Sequence, residues 1–156
     1  MASIVSRIVE VCVFRFSGNA AEYLILRRAN DDSLYPGIWQ WVTGSVLEGE
    51  KSLDAALREF REETSLKGER LWIVPYITTF YDSVHDSVHM NPLFAVQVEH
   101  GVEPRLSHEH QEFRWVSYAE ARRRLVWPGQ REGLDMVNNF IVTGEEGATL
   151  LQIPIQ

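Results

Sequence analysis

Between Gly44 and Leu66 the chain reads GSVLEGEKSLDAALREFREETSL, and this stretch restricts the fold more than any other. Leu53, Ala56, Leu57 and Phe60 recur every three or four residues, the spacing of a helix that buries one stripe. The pattern predicts a helix from about Ser52 to Thr64. Asp54, Arg58 and Arg61 fall away from the stripe, and Asp54 precedes Arg58 by four residues, a pairing that supports an exposed face. Ser52 is the expected N-cap, with Asp54 in the first turn where the helix dipole favours negative charge.

Glu59, Glu62 and Glu63 are related by three and four residues, so they crowd one arc of about 100°. Like charges four apart cost a helix roughly 0.2–0.5 kcal/mol per pair, and the C-terminal end of a helix disfavours anions. A divalent cation turns that repulsion into ligation, because hard ions such as Mg²⁺ take carboxylate oxygens. Without one, the arc is a solvated acidic face. Upstream, Gly49 follows Glu48 where a tight turn calls for positive φ. Gly44 ends a strand-like run, Trp39 to Thr43, where a bare backbone lets an ion or a phosphate approach. Strand, glycine loop and acid-bearing helix follow in that order.

The segment resembles the Nudix box, the signature of hydrolases that cut nucleoside diphosphates linked to another moiety. Gly44, Glu50, Arg58-Glu59-Phe60, Glu62-Glu63 and Leu66 match it in identity and spacing. Ser65 stands where the family has the glycine that closes the helix, which bears on cap geometry rather than on ligands. The resemblance implies an α/β fold, an α/β/α sandwich with a mixed β-sheet between helices. It also implies a hydrolase that binds a diphosphate through Mg²⁺, or Mn²⁺ in its place, while water attacks phosphorus. On matching positions it implies Glu59, Glu62 and Glu63 as metal ligands, with the Gly44 carbonyl as a fourth. Glu50 becomes an accessory or water-mediated ligand, and Arg58 the guanidinium that orients a glutamate through a charge-assisted hydrogen bond. Glu62 is the first candidate for the base that takes a proton from water. Glu109 is its rival, since several Nudix branches carry such a glutamate on the loop before an FRWV-like strand, and Glu112 is a third choice.

The segments WQWVTGSVLEGE, EHQEFRWVSYAEA and WPGQREGLDMVNNFI are similar to the branch of dATP pyrophosphohydrolases and dihydroneopterin triphosphate pyrophosphatases. That likeness implies cleavage of a (deoxy)nucleoside triphosphate or a pterin triphosphate to monophosphate and pyrophosphate. Hydrolysis of diadenosine polyphosphates, or of ADP-ribose and nucleotide sugars, is the alternative. A noncatalytic, nucleotide-sensing Nudix domain is the alternative of another class, and the retention of Glu59, Glu62 and Glu63 speaks against it.

The rest of the chain supplies the frame. A length of 156 residues fits one domain spanning 1–156. No apolar run approaches the roughly 18 residues of a membrane span, and no leader resembles a signal peptide, so the cytoplasm is the expected location. Cys12 lies in an apolar run and reads as a core thiol. A net charge of −7 argues against duplex nucleic acid, whose binders neutralise phosphates with Lys and Arg. A small nucleotide or pterin triphosphate remains compatible where a cation and a few arginines screen the site.

Ser6 to Phe16 and Glu22 to Arg28 read as a hairpin joined by Ser17-Gly18-Asn19. Arg27 and Arg28 point to opposite faces, and Arg27 is the candidate for gripping a substrate phosphate, against a plain solvated surface role. Trp39 and Trp41 share a face, for core packing or for stacking on a base or pterin ring. Arg70 to Tyr81 and Val88 to Val98 read as two strands, with Pro75 and Pro92 favouring an edge or a bulge. Gly101 to Glu112 is a polar loop of functional length. Phe113 to Val116 is a strand, Ser117 caps a helix to about Leu125, and Gln130 to Val142 is a last amphipathic helix. The tail, residues 143–156, is an edge strand or a subunit contact in a homodimer.

Overall fold

The computed structural model describes residues 1–155; Gln156, the end of the expected tail element, lies outside the described residues. In chain order the strands are β1 (Ser3–Val5), β2 (Ile8–Ser17), β3 (Ala20–Arg28), β4 (Trp39–Gln40) and β5 (Val42–Ser45). Then follow α1 (Ser52–Thr64), β6 (Gly68–Asp82), β7 (Ser87–Val98) and β8 (His110–Val116). The chain closes with α2 (Tyr118–Arg124), α3 (Pro128–Met136), α4 (Glu146–Leu150) and β9 (Gln152–Ile153).

Two hairpins, β2–β3 and β6–β7, meet along a parallel junction in which Val11 of β2 lies opposite Phe94 of β7. The sheet therefore runs β4-β3-β2-β7-β6-β9, with β8 flanking β3 and β1 running parallel to β7. Alternation along the strands splits the apolar residues between two layers. Val9, Val11, Leu24 and Leu26 pack against Ala56 and Phe60 of α1. Cys12, Phe14, Tyr23 and Ile25 pack on the other side against Ala121 of α2 and Leu134 of α3. Each fully buried Leu or Phe contributes about 1.5–3 kcal/mol. The result is the α/β/α sandwich with a mixed sheet.

The Trp39–Thr43 run is two strands rather than one. β4 pairs with β3, Gln40 opposite Leu26, whereas β5 pairs with β2, Gly44 opposite Val9. The chain crosses between these neighbours at Trp41, whose ring is 2% exposed and fills the layer under α3. Its Nε1–H donates to Glu10 at 3.0 Å, and that buried carboxylate also accepts from Gln130 at 2.9 Å and from the Thr78 hydroxyl. Trp41 has no free face, which corrects the expectation that it stacks on a substrate ring.

Pro75 is absorbed where the β6–β7 ladder slips between Ile73 and Ile77. Ser117 caps α2 by accepting the Glu120 N–H at 3.2 Å. The last predicted helix begins two residues early, with Pro128 in its first turn, and passes into a π-helical turn, Val137–Val142, that buries Val137 and Ile141. The tail forms α4 and then β9, an edge strand paired with Leu71 and Trp72 of β6. Neither β1 nor α4 was foreseen from the pattern.

Helix α1 has the predicted limits but different ends. Lys51, not Ser52, occupies the N-cap and makes no side-chain cap bond. At the C-cap, Ser65 takes the left-handed conformation expected of the missing glycine, φ 57° and ψ 16°. Its N–H reaches the Arg61 carbonyl at 2.9 Å and its hydroxyl donates to the Arg105 carbonyl at 3.3 Å. A left-handed residue with a Cβ costs roughly 1–2 kcal/mol. Ser65→Gly is therefore expected to raise stability by about 0.5–1 kcal/mol after loss of the hydroxyl bond and a more flexible unfolded chain are counted. Equilibrium urea unfolding checks this; a lower midpoint would mean that the hydroxyl bond and chain entropy outweigh the strain.

Candidate active site

Ionisable side chains converge on the α1 side of the sheet, where β2 begins, β3 ends and β8 begins. Gly44 on β5 faces α1, and a Cβ built there would lie 2.0 Å from the Glu59 carboxyl carbon. Glu59 therefore rests directly on bare backbone. One turn further, the Glu63 carboxylate is buried, with 2% of the residue exposed. Such a group is costly to bury unless something else uses it.

Glu109, on the loop before β8, comes to the same place. Burial, then the charges of Glu109 and Glu59 and a hydrogen bond shared with Glu109, push the Glu63 pKa well above the usual carboxylate range; the Thr43 N–H works weakly against them. Glu59 is also raised, first by burial, against the hydrogen bond and charge of Arg58. Three carboxyl groups thus press together.

Arg58 braces this cluster from outside. Its Nε and Nη2 grip the two oxygens of Glu50 at 2.8 and 2.9 Å, Nη1 donates to Glu59 at 2.6 Å, and Nη2 also reaches the Ser45 carbonyl at 2.8 Å. The Leu47 N–H donates to Glu50 at 2.9 Å. The Arg58 hydrogen bond, followed by that of Leu47, pushes the Glu50 pKa down to about 2. Both Glu50 oxygens accept from Arg58, so Glu50 anchors that guanidinium. Gly49, with φ 76°, supplies the turn immediately before Glu50.

Among the described residues, no group of three or more His, Cys, Asp or Glu side chains is by itself arranged to hold a metal ion. The donor set is of another kind. Glu59 lies against the Gly44 backbone and Glu63 is buried one turn further along α1, while Glu62, its side chain 58% exposed, and Glu109 stand at the rim. Hard oxygen donors in an open arrangement suit a divalent cation that keeps several waters. The residues present fit such an ion.

Other expected site residues lie elsewhere. Arg27 stands on the opposite face of the sheet, its Nε donating to the Gly37 carbonyl at 3.1 Å and its Nη1 3.6 Å from Glu112. Trp39 shares that face, half-buried, with the Arg114 and Arg124 guanidiniums 5.2 and 5.9 Å from its ring. The structure brings neither to the carboxylates. Arg28, on the α1 side, is paired with Asp32. His110 was missed. It is buried on the α1 side, 3.1 Å from the Gln40 amide, and burial and then the Arg28 charge lower its pKa to about 4, against Asp32. A strand predicted to start at Phe113 left His110 in the loop; β8 starts three residues sooner.

The NUDIX domain model matches residues 6–137. An octanoyltransferase of Myxococcus xanthus is 32% identical over 133 residues, 81% of this chain but 35% of that protein, so the chain spans about a third of that relative's length. The bis(5'-nucleosyl)-tetraphosphatase (asymmetrical) of Mus musculus is 32% identical over 111 residues, 69% of this chain and 71% of that one. The nucleoside triphosphatase NudI of Escherichia fergusonii is 31% identical over 105 residues, 63% of this chain and 74% of its own. Among solved structures, a C. elegans Ap4A hydrolase in a binary complex shares the fold with a TM-score of 0.74, over 90% of this chain and 100% of that one at 23% identity. The E. coli dihydroneopterin triphosphate pyrophosphohydrolase shares it at 0.69, over 90% and 99% at 22% identity. With the box, the sandwich around it and a match across most of its length, this chain belongs to the NUDIX family.

Proposed function

We propose that this chain is a divalent-cation-dependent pyrophosphohydrolase that cleaves a (deoxy)nucleoside triphosphate or pterin triphosphate to monophosphate and pyrophosphate. The observation that carries the reading is Glu63, buried between Glu59 and Glu109 one helical turn from the Gly44–Glu59 contact. Breaking a phosphoanhydride mostly requires a positioned water and neutralised phosphoryl charge. Glu59, Glu63 and the Gly44 carbonyl would hold Mg²⁺, with Mn²⁺ as substitute and Glu62 at the rim. When bound, such an ion polarises the phosphate and makes a bound water more acidic.

Glu109 takes the proton from water as its oxygen attacks the α-phosphorus; the bond to the bridging oxygen breaks and pyrophosphate leaves. Glu109 is preferred to Glu62 as base because Glu62 lies 3.4 Å from Arg58, whereas Glu109 shares a hydrogen bond with Glu63. Arg58 keeps Glu59 aimed at Gly44. A lysine there offers one ammonium and cannot bridge Glu50, Glu59 and Ser45 together. Arg58→Lys is expected to lower kcat about 10- to 100-fold, as loss of an orienting partner does at metal sites. Equal kcat in the variant would remove Arg58 from the positioning role.

Diadenosine tetraphosphate is the second reading, favoured by the likeness to the mouse tetraphosphatase. No described helix is long and apolar enough to cross a membrane, and a cytoplasmic, small-molecule role is part of the proposal. The test is a panel of dNTPs, dihydroneopterin triphosphate, diadenosine tetraphosphate and ADP-ribose with Mg²⁺, products separated by chromatography. Pyrophosphate plus monophosphate from a triphosphate supports the first reading; cleavage of the dinucleotide alone supports the second. Tight nucleotide binding without any turnover would contradict both.

A further inference from the structure

We infer that His110, braced by Gln40, is a positioning residue that fixes the Glu109 carboxylate against Glu63; the inference rests on Glu109 being the base proposed above. His110 and Gln40 are each 5% exposed, and the Gln40 amide donates to His110 Nε2 at 3.1 Å. An accepting Nε2 requires a neutral ring with its proton on Nδ1. That Nδ1 is buried with no partner. A half-satisfied imidazole is a poor choice for stability alone, since an apolar ring of similar volume would leave no polar atom unpaired.

The position explains the choice. The β3–β8 register slips at Arg27/Arg28, so Arg27 lies opposite Glu112, Arg28 lies opposite His110, and Gln111 is the extra residue. Bulges of this kind re-aim neighbouring side chains. Gln111 pins the bulge by donating to the Arg28 carbonyl at 2.8 Å and to the Asn30 side chain at 2.9 Å. The Glu109 carbonyl accepts from the Ala29 N–H at 2.9 Å. The backbone on both sides of Glu109 is therefore held, while its side chain is exposed. Gln40, the last residue of β4, sits immediately before the Trp41 crossing into β5, which carries Gly44. The His110–Gln40 bond thus ties the Glu109 loop to β4, the strand that leads into the one that cradles Glu59, across 70 residues of sequence.

A double-mutant cycle on the preferred panel substrate with Mg²⁺ tests this. His110→Phe keeps the ring volume and is expected to lower kcat about 10- to 100-fold, the scale of an ångström-sized misplacement, with little change in KM. The same substitution in the Glu109→Gln background should have almost no further effect, because the two act as one unit. Gln40→Leu should reproduce the His110→Phe result. An equal loss in both backgrounds would overturn the inference while leaving Glu109 as base. A fully active Glu109→Gln enzyme would instead remove the base assignment, and the inference with it. Amide hydrogen exchange across residues 107–111 in the substrate-free protein reads the same lock without turnover. Faster exchange in His110→Phe, or in His110→Asn if the first variant does not fold, supports the inference; unchanged exchange overturns it.

Discussion

Glu63→Gln is expected to lower turnover by at least about 10³-fold, because charge neutralisation and water activation by the cation are the largest contributions to phosphoanhydride hydrolysis. It should also change the pH dependence of the cation-free protein in the opposite sense to an ordinary loss of function. Glu63 holds its proton in the folded state at pH values where the unfolded chain has lost it. Stability from this group is therefore greatest at low pH and declines as pH rises from the ordinary carboxyl value towards the raised folded one. Glutamine has the same shape and no proton to lose, so the decline should vanish. Thermal melts of chelator-treated protein between about pH 5 and about pH 8 check it. If the variant kept both the wild-type rate and the wild-type pH slope, Glu63 would be a bystander.

Gly44→Ala is expected to cost at least about 100-fold in kcat, on the scale of an ångström-sized displacement of a catalytic group. Gly44 is not among the glycines with positive φ, so alanine brings no backbone strain of that kind. The whole effect comes from one methyl group, which would sit 2.0 Å from the carboxyl carbon of Glu59 and force that carboxylate off the strand. Overpacking of this sort costs roughly 1–3 kcal/mol in stability, so the protein should still fold. The informative comparison is Gly44→Ala against Glu59→Gln: similar losses with a retained melting transition support the cradle. An active Gly44→Ala variant would show that Glu59 does not need the bare backbone.

Local chemistry made much of this legible in the sequence. The stripe Leu53, Ala56, Leu57 and Phe60 marked α1 because its three-to-four-residue period is a property of the helix itself, whatever packs against it. Ser117 marked the start of α2 because its hydroxyl meets the N–H of Glu120 three residues on. What escaped depended on distant partners. Nothing near Trp41 shows that Glu10, 31 residues away, accepts its ring N–H and draws it into the core. Nothing in the local pattern around Glu50 shows that Arg58, eight residues later, grips both its oxygens. Arg27 was assigned without knowing which face α1 would cover, and alternation places it on the far one beside Trp39. His110 was hidden by a bulge, which no alternation pattern signals.

Glu59 and Glu63 as cation ligands are tested most directly by binding itself. Calorimetric titration of Mn²⁺ into chelator-treated protein at neutral pH, repeated in buffers of different ionisation heat, measures binding and proton release together. Because ligands must be deprotonated to bind, a saturable isotherm accompanied by proton release is expected in the wild type. In Glu63→Gln the proton release should disappear and the affinity should fall sharply. An absence of saturable binding, or an identical isotherm and proton count in Glu63→Gln, would contradict the account.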